Sequence, residues 1–198
     1  MTNFFKKSSL VLALVAIFVV TFSFNACKRG GGASFGVGSP MGAVNNVPET
    51  AFGVGTLNIK NLIDKAGGMD ALKNTEFYRD ALKKVEQENP AFVKIMENPA
   101  EAGIDIARNV FVFMEPGGEK IDKMAGGLVF LLTDAAKFEA ALKEAKAPAS
   151  KKEGDINIIT ENNEYAVAWN SKMAYIGGGE GFNPARVKYI FNNKKYIY

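Results

Sequence analysis

The sequence predicts an α+β fold, an antiparallel sheet with helices packed on one face. Three observations predict it. The apolar period switches in blocks between two residues and about 3.6 residues. The last strand-like blocks follow one another across loops of three and four residues, too short for anything but antiparallel hairpins. The helical blocks fall between groups of strands instead of alternating with them singly, which is a layered α+β pattern. The predicted order is strand, helices, two strands, helix, three strands.

Residues 51–59 (AFGVGTLNI) read as the first strand. Gly53 and Gly55 share its parity, and missing side chains on one face predict close approach by a helix or another strand. Residues 60–66 (KNLIDKA) form a short helix stopped by Gly67-Gly68. In 75–87, Phe77, Ala81, Leu82 and Val85 make one apolar stripe at helical spacing. Asn89-Pro90 restarts the chain as a cap and first helical residue. Phe92, Val93, Ile95 and Met96 fill that helix, Asn98-Pro99 repeats the device, and Gly103 closes the turn.

From Asn109 the period shortens. Residues 110–114 (VFVFM) are a strand ended by Glu115-Pro116-Gly117-Gly118, and 126–133 (GGLVFLLT) are a second. Asp134 fits the N-cap of a helix over 135–145, where Phe138, Ala141, Leu142 and Ala145 share a face. Residues 147–154 read as a polar loop, and strands follow at 156–160, 165–169 and 173–176. Residues 47–179 are thus one α+β domain, long enough for a single core. Residues 180–198 stand apart: from 181 on they hold four basic residues, five aromatics and no acid. Such a strip could stack on nucleic acid. The preferred reading is a strand or disordered end of an incomplete chain, which could be the start of a truncated second module, and no nucleic-acid partner is expected.

Ahead of the domain, Lys6 and Lys7 precede an unbroken apolar run at 10–20, the layout of a secretory signal. The run is shorter than the roughly 20 residues that span a bilayer. Cys27, the one cysteine in 198 residues, follows Phe24-Asn25-Ala26. A small residue directly before a cysteine, behind such a run, is similar to a bacterial lipoprotein box. Residues 1–26 are therefore expected to be a signal peptide cut between Ala26 and Cys27, with Cys27 acylated, a reading preferred to an uncleaved anchor helix. Burying acyl carbons gives about 0.8 kcal/mol per methylene, so several chains anchor stably. Residues 27–46, rich in glycine, serine and alanine, read as a flexible tether. Gly36 and Gly38 lie in it with no strand before them, which argues against a phosphate loop.

Composition narrows the chemistry. Removal of 1–26 leaves 22 basic against 21 acidic residues, and the chain has no histidine. With Cys27 acylated, no thiol remains for a disulfide or a nucleophile, and Ser-His-Asp or Cys-His catalysis is excluded. The common zinc and copper ligand sets are excluded as well, leaving only oxygen-ligand sites open. No cofactor and no metal site is predicted.

The remaining candidates each have a plain structural reading. Asp105, Glu115 and Asp134 could supply a carboxylate pair for glycan hydrolysis, but Asp134 fits a helix cap and Asp105 a turn. Glu161-Asn162-Asn163-Glu164 could offer oxygens to calcium, or simply form a hairpin loop. Trp169 alternates with Val167 and Tyr165 on one strand face. Trp169 and Tyr165 are the candidate binding residues, as a sugar platform, with core packing preferred. Gly177-Gly178-Gly179 could admit an anion, or end a strand.

Three segments carry a family resemblance: Leu57-Asn58-Ile59-Lys60-Asn61-Leu62-Ile63-Asp64-Lys65-Ala66-Gly67; Asn98-Pro99-x-x-x-Gly103-Ile104-Asp105 before Val110-Phe111-Val112-Phe113; and Gly126-Gly127-Leu128-Val129 before Asp134-x-x-Lys137-Phe138-Glu139. Together they resemble uncharacterised lipoproteins of Bacteroidota classed as a domain of unknown function. The resemblance spans roughly 47–179 and brings no catalytic set. It implies that this chain holds only the N-terminal module of longer relatives. In such bacteria, Lys28-Arg29-Gly30 after the lipid cysteine implies an outer-membrane lipoprotein facing the periplasm. The expected function is a non-enzymatic envelope lipoprotein, bound to membrane lipid through acylated Cys27 and to an unknown protein partner. The alternative is a fragment of a carboxylate-dependent glycan hydrolase.

Overall fold

The computed structural model describes residues 46–88, 90–116, 123–161, 164–180 and 182–192. The signal-like segment, the Ala26–Cys27 junction, the glycine-rich tether and the chain beyond 192 lie outside the described residues. The strands are β1 (Gly53–Asn58), β2 (Asn109–Pro116), β3 (Met124–Leu131), β4 (Lys151–Glu153), β5 (Ile156–Glu161), β6 (Tyr165–Trp169) and β7 (Met173–Gly179). They form one sheet in the order β1-β2-β3-β7-β6-β5-β4, antiparallel at every pair. The helices are α1 (Ile59–Ala66), α2 (Met69–Lys73), α3 (Glu76–Glu88), α4 (Pro90–Glu97), α5 (Ala135–Glu144) and α6 (Val187–Asn192), the last entered through a 3-10 turn at Pro184–Arg186.

The α+β class stands, and the order differs from expectation in two places. The final strand group has four members, because 151–153 pair with β5. All three of those side chains are exposed, so no alternation of apolar residues marks the strand. A sixth helix then follows β7, built from the basic-aromatic stretch.

Side chains alternate across the sheet, and both faces are covered. On one face Val110, Val112, Leu128, Phe130 and Trp169 pack with Val85, Phe92, Phe138, Leu142 and Ala145 from the helices. Burying a Phe138 or Leu142 side chain is worth about 1.5–3 kcal/mol. On the other face Phe111, Phe113, Val129, Ala168 and Tyr175 pack with Val47 and with Phe182, Val187 and Ile190. The helices therefore do not all lie on one face: α3, α4 and α5 cover one, and α6 closes the other together with the chain before β1.

Local signals explain the joints. The Asp134 carboxylate accepts from the Ala136 and Lys137 backbone N–H groups, capping α5. Asn58 caps α1 by accepting from Asn61, and Gly67 ends that helix at φ 88°. Gly103, at φ 77°, lets the helical half dock on β3: a Cβ there would lie 2.1 Å from the Asp134 carbonyl oxygen. Its own carbonyl accepts from Thr133 N–H at 2.9 Å.

Candidate functional site

Two features stand out once the core is accounted for. The first is an ion pair under the C-terminal segment. Glu115 sits on β2 at 3 % exposure, the one buried charged side chain among the described residues. Its Oε2 accepts from the Thr50 hydroxyl at 2.8 Å and from Arg186 Nη1 at 2.7 Å. Thr50 and Arg186 line a cleft of about 510 Å³ between the two ends of the described chain, and they seal the carboxylate beneath it. Tyr175 lies nearby, stacked on Phe113 with centroids 6.1 Å apart. Its ring leans over Gly177, where a Cβ would come 1.8 Å from the hydroxyl oxygen. Burial raises the Tyr175 pKa, the Glu115 charge raises it further, and Arg186 opposes both.

This cluster accounts for two of the candidate residues, and local backbone contacts account for two more. Glu115 is buried and held by two donors. Gly177 is the bed of an aromatic ring and admits no anion. Asp105 and Asp134 serve the backbone, Asp105 by accepting from Ala107 N–H at 3.1 Å. No group of three or more metal-ligating side chains occurs among the described residues. Glu161 accepts the Tyr165 hydroxyl at 2.7 Å, while Asn162 and Asn163 lie outside the described residues.

The sugar-platform reading of Trp169 and Tyr165 does not survive the geometry. Trp169 is 2 % exposed and meets the edge of Phe138 at 5.9 Å. Tyr165 is equally buried, and burial followed by the Glu161 hydrogen bond and charge raises its pKa. Both side chains face the helices, where no ligand reaches them.

The second feature is the β1 edge. Among the described residues β1 pairs on one side only, with β2. Edge strands ordinarily carry charges or are kept short, because their free N–H and C=O groups invite another strand. The opposite edge follows that rule, with three exposed residues Lys151, Lys152 and Glu153. Strand β1 does not: it has six residues, GVGTLN, and no charge. Val54 is 51 % exposed, and Phe52, just before the strand, 61 %. Gly53 and Gly55 do not serve close packing, contrary to the expectation from sequence. A Cβ at Gly55 would meet nothing within 4 Å. The helix that follows is strongly amphipathic in sequence yet buries none of its residues, and Leu62 is exposed. Among the described residues, the β1–α1 unit thus presents backbone groups unpaired by any strand together with apolar side chains.

Sequence reasoning missed both features. Glu115 and Arg186 are 71 positions apart, and nothing local links them. The open edge was legible in part, since residues 51–59 contain no charge.

The family described as Domain of unknown function (DUF4836) matches residues 44–180. Comparison with curated proteins and with solved structures returns no match.

Proposed function

The chain belongs to the DUF4836 family of domains of unknown function, and on that premise we propose that it is a membrane-anchored envelope lipoprotein of Bacteroidota type. Its domain binds protein and performs no catalysis. The observation that carries the binding role is the β1 edge, which no described strand covers, with Val54 and Phe52 exposed beside it. Strand addition supplies affinity through backbone hydrogen bonds and specificity through alternate side chains. The capping roles of Asp105 and Asp134 and the sealed Glu115 support the non-catalytic reading. The anchor is supported by sequence: a short apolar run after two lysines, and Cys27 directly after Ala26.

Two measurements test this. Cells fed labelled palmitate are expected to incorporate it into the wild-type chain and not into Cys27→Ser, with the mature mass starting at Cys27. A photoreactive side chain at position 54, activated in intact envelopes, is expected to give a discrete protein adduct absent from position 151. Unlabelled wild-type protein removes the anchor, and the lack of any adduct at 54 removes the binding role.

A further inference from the structure

We infer that the partner on β1 is β1 of a second copy of this chain, paired antiparallel about a two-fold axis through Val54; this rests on the protein-binding reading above. The argument begins with symmetry. An axis perpendicular to the sheet joins two identical edges antiparallel and keeps each face continuous. Opposed residues then share a face, so the axis passes through a residue position.

Centring it on Val54 sets the two half-exposed Val54 side chains against each other and Phe52 against Thr56 of the second copy. It also sets Gly53 against Gly55, where the space beside Gly55 is open. Paired apolar side chains directly opposite are the stabilising unit of a sheet.

Charge favours the same partner. No charged residue occurs from Ala51 to Ile59, and the first charges beyond are Glu49 before the strand and Lys60 after it. Antiparallel pairing therefore opposes no like charges along the ladder, since Lys60 is held by Asp64 of its own helix and Glu49 stands in the turn before the strand. Self-pairing at the other edge lacks this fit, because Lys151 and Lys152 would approach their own images. Confinement to one membrane surface raises the effective concentration of copies, so a short ladder suffices.

The test uses the full, anchored chain, in which acylated Cys27 is not free to oxidise. Mild oxidation of membranes carrying Val54→Cys is expected to give a covalent dimer that reduction reverses, since directly opposed Cα atoms lie about 4.5–5.5 Å apart, within the span of a disulfide. Thr56→Cys, displaced from its own image by four residues, and Lys151→Cys are expected to stay monomeric. Val54→Lys opposes like charges and is expected to weaken self-association roughly tenfold, with the thermal midpoint of the dissociated chain unchanged because Val54 is exposed there. Linking at all three cysteine positions, or at none, overturns the inference. An adduct from position 54 of a mass other than twice the chain, without the Val54→Cys dimer, overturns the second copy and leaves the protein-binding reading standing. Absence of both removes both.

Discussion

Glu115, Arg186 and Tyr175 concentrate the polar cost of the second core. Removing one partner of a buried ion pair costs about 3–5 kcal/mol, because the other charge is left without compensation. Arg186 keeps 35 % of its side chain in water, so Arg186→Ala is expected to cost less, about 2–3 kcal/mol by denaturant titration. Arg186→Ala with Glu115→Gln is expected to recover more than half of that loss, since no bare carboxylate remains. Equal losses in the single and double variants would mean the pair is not coupled. The Tyr175 hydroxyl has no hydrogen-bond partner among the described residues. Tyr175→Phe is therefore expected to cost little at neutral pH.

The same tyrosine acts at high pH. Tyr78, Tyr165 and Tyr175 all have pKa values raised above the ordinary value near 10, in each case first by burial. An unfolded chain loses these protons above about pH 10 while the folded chain keeps them. Fewer protons on the unfolded state make the slope of stability against pH negative. The stabilisation is fully present below pH 10 and falls above it, by up to about 1.4 kcal/mol per pH unit for each tyrosine. Tyr175→Phe is expected to make that fall shallower between pH 10 and 11.5. An unchanged slope would mean that the phenol ionises in the folded protein.

At the scale of elements, Gly103 is where the helical half meets the sheet. Its positive φ and the Asp134 carbonyl against its Cα leave no room for a side chain. Gly103→Ala is expected to destabilise the fold by about 3 kcal/mol, within the range for backbone strain plus steric conflict, read as a lower denaturant midpoint. Gly55→Ala, with open space at its Cβ, is expected to be neutral and serves as the control. The contrast shows what a sequence reader can see. Gly103 after Asn98-Pro99 reads as a turn, and Asp134 reads as a cap, because both signals are local. Hairpins β5–β6 and β6–β7 are legible for the same reason, since their loops are short and polar between apolar runs. Gly53 and Gly55 mislead, because a glycine pair on one parity looks the same whether a neighbour fills the space or not. Strand β4 is invisible, since Lys151, Lys152 and Glu153 are placed by pairing with β5 and by no burial of their own. Trp169 reads as core in preference to platform, and the T-shaped contact with Phe138, 31 residues away, fits that preference.

For the whole molecule, the question is where the folding unit ends. The family match stops at 180, and sequence reasoning sets the domain boundary at 179. The packing runs further. Phe182, Val187 and Ile190 are buried against Phe111, Phe113, Val129 and Tyr175. Asn46 donates to the Ile190 carbonyl, Lys188 pairs with Glu153 at 2.7 Å, and Arg186 pairs with Glu115. Basic and aromatic composition hid this role, because Arg186 and Lys188 serve as clasps while Val187 and Ile190, three residues apart, make a short apolar stripe. A chain cut after residue 180 would bare one face of a seven-stranded sheet and leave Glu115 without its cation. Losing three buried apolar side chains at about 1.5–3 kcal/mol each rivals the 5–15 kcal/mol by which whole domains are stable. Truncation at 180 is thus expected to give aggregated or dye-binding protein without a cooperative thermal transition, whereas truncation at 192 keeps the transition of the full chain. A sharp, unshifted transition in the shorter chain would show that residues 182–192 rest on the sheet without holding it.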